Sequence, residues 1–204
     1  MKVLHIDCSL RHKGSVSRQL SQAFVDKLRK RHSIEIDRLD LAVDTPPHIS
    51  QDYAQAMYVP MDEHTTETKK VLALSNKLVD RLFEADLMVL GLPMYNFGIP
   101  SVFKSYIDHI SRSGRTFVAD DTGFHGQVTN LKVVVLNSRG GSYKDKATKA
   151  MDFVEPYISL IFGFLGITDI TFMNIEPTDF YGPEARKMAI QEVNAKIDAF
   201  MDKL

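Results

Sequence analysis

The sequence predicts an α/β fold: a doubly wound, five-stranded parallel sheet in the order 2-1-3-4-5, with helices on both faces. Three observations predict it. Short apolar runs alternate with stretches of helical period along the whole chain, without a repeat or a linker. Two of the runs, residues 86–90 and 132–137, are apolar almost throughout, as strands buried on both faces must be. The segments that follow strands carry the unusual residues, as expected where ligands sit beyond the carboxyl ends of a parallel sheet. At 204 residues, one domain spanning positions 1–204 is expected, large enough to bury about 70% of the surface of its unfolded form.

Residues 3–8 read as the first strand, which empties into a hydroxyl-rich loop from Ser9 to Ser17. A helix follows, with Leu20, Ala23, Phe24 and Leu28 on one face and Arg18, Gln22, Asp26 and Lys30 outside it. Residues 34–39 alternate well enough for a second strand, placed near an edge because half of them are charged. Residues 42–65 are irregular, with Pro46, Pro47 and Pro60 as breakers and a short helix around 52–57. So long a connection suits a rim or lid better than a turn.

A stronger helix starts near Thr66, capped by Thr65 or Thr66, with Val71, Leu74, Leu78, Val79 and Leu82 on one face. It leads to the third strand at 86–90. Pro100 then opens a helix over 101–110, and Gly114 closes it. Residues 132–137 form the fourth strand. The helix expected over 148–165 is apolar around much of its surface, including Phe153, Tyr157, Ile158, Ile161, Phe162 and Phe164, which suits burial against both the sheet and a second subunit. A fifth strand at 167–175 and a helix over 183–204 complete the chain.

Composition removes several classes of function. A formal charge of -1 provides no field for nucleic acid or an anionic membrane. No run approaches the roughly 20 apolar residues of a membrane span, and His5 and Asp7 interrupt the N-terminus where a signal peptide needs an apolar core. The single Cys8 excludes an internal disulfide, and no metal-ligand spacing is present. A reducing, cytoplasmic setting is expected.

Three loops carry the chemistry. The first offers the hydroxyls of Ser9, Ser15 and Ser17 and the free amide groups at the helix start, Val16 among them, which suits one phosphate. A simple serine cap would give the same pattern. No dinucleotide glycine fingerprint and no ATP-type phosphate loop follows the first strand. The second loop, after strand three, runs Pro93-Met94-Tyr95-Asn96-Phe97-Gly98. A segment that only turned the chain would be polar, so these aromatics indicate a flat apolar partner, with Asn96 and nearby amides at its polar edge. In the third loop, Ser138, Arg139, Gly140 and Gly141 combine close backbone approach with a positive charge. Together they describe a phosphate at one end, a flat ring in the middle and amide donors around the ring.

The run PMYNFGIPSVFKSYID, followed by RSGRTF and NSRGGSY, resembles the flavodoxin-like family of FMN-dependent NADH azoreductases and NAD(P)H:quinone oxidoreductases. The likeness extends from the S-x(5)-S-x-S spacing of Ser9, Ser15 and Ser17 to the late GFLGITDI segment. The resemblance implies FMN as cofactor, with NADH or NADPH as donor and quinones and aromatic azo compounds as acceptors, in a ping-pong hydride transfer. It implies that Ser9, Ser15, Val16 and Ser17 hold the FMN phosphate, that Pro93, Met94, Tyr95, Asn96 and Phe97 seat the ring, and that Ser138, Arg139, Gly140 and Gly141 border its pyrimidine side. No catalytic side chain is required, with Asn96 and Phe97 tuning flavin N5. The resemblance further implies a homodimer with sites at the interface and a substrate pocket built from Phe117, position 119 and Phe164. Where the family reads T-F-x-Y, this chain has Thr116-Phe117-Val118-Ala119, so the roof of the pocket lacks a tyrosine.

An electron-carrier flavodoxin is the nearest rival, although such carriers rely on an acidic docking face that a near-neutral chain does not supply. A phosphatase built on Cys8 would need C-x(5)-R, and the sixth residue after Cys8 is Gly14. Among the histidines, His5 is expected to pack with a backbone partner. His125, within Gly123-Phe124-His125-Gly126, is the one placed in a loop able to overhang the site.

Overall fold

From the N-terminus the chain forms β1 (Lys2–Asp7), α1 (Val16–Arg31), β2 (Glu35–Asp40), α2 (Gln51–Ala56), α3 (Thr66–Val71), α4 (Ala73–Glu84), β3 (Leu87–Pro93) and α5 (Ser101–Ile110). It continues through β4 (Phe117–Asp120), β5 (Gly123–Gly126), β6 (Lys132–Ser138), α6 (Lys146–Lys149), α7 (Val154–Leu165), β7 (Ile170–Ile175) and α8 (Gly182–Met201). The computed structural model describes residues 1–203. Five parallel strands lie in the order β2-β1-β3-β6-β7, while β4 and β5 pair separately as an antiparallel hairpin. With that unanticipated hairpin set aside, the order is the one expected from sequence. Register places Asp7 beside Gly91 and Pro93 beside Ser138, so β1, β3 and β6 deliver their following loops to one edge.

Successive strand residues point to opposite faces, and they join two different apolar clusters. Leu4, Ile6, Met88, Leu90, Val133 and Val135 pack with Leu78 and Leu82 of α4, Phe103 and Ile107 of α5, and Ile158 and Phe162 of α7. Val3, Leu87, Val89, Val134 and Leu136 pack with Leu20, Phe24 and Leu28 of α1 and Val193 and Ile197 of α8. Strands without a solvated face explain why β3 and β6 are continuous apolar runs.

Several elements differ from the sequence expectation. The helix near Thr66 is two helices: Leu72 is fully buried at the break, and Leu74 is exposed. The helix expected over 148–165 is also divided, because Asp152 Oδ1 accepts the Val154 and Glu155 N–H groups and so caps a new start for α7. Apolar periodicity continues through that break and conceals it. The 42–65 segment packs beside α4 and α5: Tyr53 is buried with its hydroxyl on Ser75 Oγ, and His109 Nε2 lies 3.0 Å from the Pro47 carbonyl. The last strand begins at Ile170. The expected end of the final helix, Leu204, lies outside the described residues. Among the described residues, no helix is long and apolar enough to cross a membrane.

The hairpin docks through backbone contact. A Cβ at Gly126 would lie 2.0 Å from the Gly166 amide nitrogen and 2.2 Å from the Leu165 carbonyl carbon. Gly126→Ala must therefore displace the hairpin from the end of α7. It is expected to cost about 1–3 kcal/mol by overpacking, read as a lowered denaturant midpoint with the m-value unchanged.

Candidate functional site

A crevice of about 310 Å³ opens where β1, β3 and β6 end, a size within the range of small-molecule sites. Ser9, Gly14, Ser15 and Val16 line one end; Pro93, Met94, Tyr95, Asn96 and Phe97 form a wall; Ser138, Gly140 and Gly141 form the opposite edge. Eleven of the thirteen cofactor-site residues expected from sequence are thus brought together. The exceptions are Ser17 and Arg139, both buried behind the surface.

At the first loop, Ser15 caps α1, with its Oγ accepting the Arg18 N–H at 3.4 Å and lying 3.2 Å from Ser17 Oγ. The cap leaves the amide groups of Val16 and Ser17 without an intrahelical acceptor. Ser9 Oγ accepts the Arg11 N–H at 3.2 Å. Beneath the loop, His5 and Asp7 are buried in β1. His5 finds a side-chain partner in place of the expected backbone one: its Nε2 lies 3.0 Å from Ser21 Oγ and 3.7 Å from Asp7 Oδ2. Burial, opposed by the Asp7 charge, leaves His5 below its usual range. Cys8 is fully buried outside the crevice, and burial pushes its thiol well above 9.0. It is no nucleophile, in keeping with the failed phosphatase pattern.

The wall is a tight turn. Tyr95 and Gly98 exchange both backbone hydrogen bonds at 3.0 Å, and the residues between them, Asn96 and Phe97, have φ values of 49° and 68°. Positive φ at both central positions is the type I′ arrangement. Asn accepts it readily; Phe does not. The turn persists because its surroundings hold it: Met94 N–H donates to the Ser138 carbonyl at 2.8 Å, and Phe153 N–H to the Phe97 carbonyl at 3.0 Å. Tyr95 Oη accepts the Leu10 N–H at 3.3 Å, joining the wall to the first loop.

The third loop corrects one expectation. The Arg139 side chain is only 2% exposed and turns away from the crevice, toward Asp152 and Glu155, each at 2.9 Å, and Glu176 at 3.5 Å. It therefore adds no free positive charge at the ring edge. At Gly140 a Cβ would meet the Phe180 ring at 3.0 Å. Phe180, Asp179 and Thr178, after β7, also line the crevice, as do Tyr143, Arg11 and Arg186. Sequence reasoning passed over these six. The aromatic pair Phe180-Tyr181 behind a strand end is the same signal that marked the 94–97 loop.

The three expected substrate-pocket residues do not line this chain's crevice. Phe117 and Phe164 instead form an aromatic group with Phe124, with ring centroids 4.7, 5.6 and 6.2 Å apart. Ala119 pairs across the hairpin with Phe124. His125 does not overhang the crevice either; its Nε2 is 3.0 Å from Asp120 Oδ1. Hydrogen bonds from the Thr122 hydroxyl and backbone, aided by His125, bring Asp120 down to about 2.

Serine hydroxyls at a helix start, an apolar wall and a glycine edge at a sheet's switch point define a mononucleotide-binding α/β protein. A family model described as flavodoxin-like fold matches residues 1–201. The chain is 41% identical over 199 residues to an FMN-dependent NADH:quinone oxidoreductase of Nostoc punctiforme, covering 97% of this chain and 96% of that protein. An azoreductase from Bacillus anthracis superposes with a TM-score of 0.90 at 27% identity, covering all of both chains. An FMN-dependent NADH-azoreductase from the same species, solved with FMN, gives 0.85 at 26% identity, with 98% and 100% coverage. The chain belongs to this flavodoxin-like family of FMN-dependent NADH:quinone oxidoreductases and azoreductases.

Two outcomes are expected. Phe97→Gly should relieve left-handed strain and raise apoprotein stability by about 1 kcal/mol, while flavin binding at the wall weakens; denaturation and flavin titration read the two effects. The second concerns pH. Because the folded pKa of His5 lies below the ordinary 6.5, the unfolded chain takes up the proton first, so stability is complete above that value and declines as pH falls through it. The urea midpoint should drop between about pH 7.5 and 5.5, with a shallower slope in His5→Gln.

Proposed function

We propose that the chain is an FMN-dependent oxidoreductase passing electrons in ping-pong order from NADH or NADPH to quinones and aromatic azo compounds. The observation that carries this reading is one crevice joining a serine-ringed helix start to an apolar wall and a glycine edge. A mononucleotide of flat ring and single phosphate has that shape. Ser9, Ser15 and the amides of Val16 and Ser17 hold the phosphate, aided by the α1 dipole. Ser17 acts through its amide and by fixing the Ser15 hydroxyl.

Pro93, Met94, Tyr95, Asn96 and Phe97 would support the ring, with Asn96 and Phe97 tuning its N5. Ser138, Gly140 and Gly141 offer amides to the pyrimidine edge, where preorganised donors stabilise developing negative charge. Arg139 takes part by shaping that loop. FMN, when bound, supplies the hydride chemistry, so no side chain is needed as nucleophile or metal ligand. The relatives' names support NADH as donor and quinone and azo acceptors.

A homodimer with the crevice at its interface fits the same geometry. The face of α7 exposes Leu160 and leaves Tyr157, Ile161 and Phe164 partly uncovered, and Phe153 precedes the helix. Phe153 binds the crevice wall, while Phe164 lies at the helix's other end. Two copies packed antiparallel along α7 bring the Phe117, Phe124 and Phe164 group of one to the crevice of the other. Phe124, 68% exposed and paired across from Ala119, then takes the place of the missing tyrosine. A buried, unpaired Cys8 fits a cytoplasmic setting.

Purified protein should be yellow, bleach with NADH and oxidise NADH steadily with menadione; bound flavin without turnover would identify an electron carrier instead. Phe124→Ala should change the ratio of kcat/KM between azo dyes and quinones by about tenfold with FMN affinity retained. Equal effects on all acceptors would remove Phe124 from the roof.

A further inference from the structure

Arg18 stands where a helix least favours it. It is the third residue of α1, in a first turn that contains no acid, and a cation there opposes the helix dipole. Its side chain is nevertheless only 12% exposed and every part of the guanidinium is engaged. Nη1 and Nη2 donate to the two Asp40 oxygens, each at 2.6 Å, and Nη1 lies 3.6 Å from Asp7 Oδ2. Nε and Nη2 also donate to the Ser9 carbonyl, at 3.0 and 2.6 Å.

Asp40 balances its charge, Asp7 being shared with Arg38, which lies 3.1 Å from it, and Arg18 does not line the crevice. What it grips is a single peptide group, the one between Ser9 and Leu10. The other end of that peptide, the Leu10 N–H, donates to Tyr95 Oη at 3.3 Å. The peptide is thus held between α1 and the ring wall. Ser9 Oγ, which accepts the Arg11 N–H, is oriented by the same loop.

We propose that Arg18, seated on Asp40, is the positioning residue of the phosphate end of the crevice: by fixing the Ser9–Leu10 peptide it sets the Ser9 hydroxyl for a phosphate and couples that end to Tyr95. The proposal rests on the mononucleotide reading above. It differs from a direct phosphate contact, because the guanidinium is spent on carboxylates and a carbonyl. Lysine cannot replace it, since a single ammonium cannot hold a carboxylate bidentately and a carbonyl in one plane.

The test compares FMN with riboflavin, which shares the ring and lacks the phosphate, by flavin fluorescence quenching on apoprotein. Wild type should prefer FMN strongly; equal affinity would overturn the mononucleotide reading itself. Arg18→Met and Arg18→Lys should each weaken FMN about 10- to 100-fold while riboflavin affinity stays within about twofold. A parallel loss of both flavins would show a merely structural role, and an undiminished FMN preference would show no role; either overturns the proposal. Should the Arg18 variants fail to fold, Asp40→Asn decides. It keeps the arginine and loosens its seat, so it should lose part of the FMN preference; full retention would overturn the proposal.

Discussion

The crevice depends on one buried guanidinium, that of Arg139. It sits among Asp152, Glu155 and Glu176, which come from the start of α7 and the end of β7, while its own backbone continues β6. Its N–H donates to the Ile175 carbonyl and its carbonyl accepts from Thr178. Three segments without regular structure are thereby fixed at the carboxyl edge of the sheet. Loops in such a place carry backbone groups that must find partners, and this cluster supplies the frame on which they do. Asp152 also caps α7, which positions the Phe153 N–H for the Phe97 carbonyl. The strained turn of the wall is held by a bond that traces back to Arg139. Removing one member of a buried ion cluster leaves an uncompensated charge, so the loops would loosen together.

A second arginine, Arg18, does the corresponding thing on the other side of β1. Both cations are spent inward on carboxylates, and the crevice floor is left to hydroxyls, amides and aromatic faces. Hydroxyl and amide donors bind a phosphate by direction as much as by charge, and a helix start concentrates them without desolvating a cation. Arg11 and Arg186 are the cations that line the crevice.

The central strands and the three loops were legible in the sequence for a physical reason. Strands buried on both faces must be apolar throughout, and a loop with Met94, Tyr95 and Phe97 has no reason to be apolar unless something flat covers it. Breaks within helical period were not legible. Asp152 starts a new helix by capping, and the break at Leu72 falls inside continuous apolar spacing, so neither is registered by that spacing. The β4–β5 hairpin was invisible because its strands are four residues each and mostly exposed, without an alternating face. Arg139 was assigned to the crevice because sequence places a side chain in a loop without saying which way it turns; the carboxylates that claim it lie 13 to 37 positions further on.

In the proposed dimer, the β4–β5 hairpin is where a roof would change while the floor stays fixed. Ala119 and Phe124 oppose each other in register, so their side chains share one face of the hairpin. Moving an aromatic from one strand to the other across such a pair keeps it beside Phe117 and Phe164, with centroids at 6.2 and 5.6 Å. The ring is displaced only by the spacing of a cross-strand pair, about 5 Å. The hairpin bears on the main fold where Gly126 meets Gly166 and through the Phe117, Phe124 and Phe164 rings, at a distance from the crevice-lining residues. In the proposed dimer, acceptor preference would therefore vary independently of flavin binding: the first would reside on a two-stranded appendage, and the second on the sheet edge beside Arg18 and Arg139.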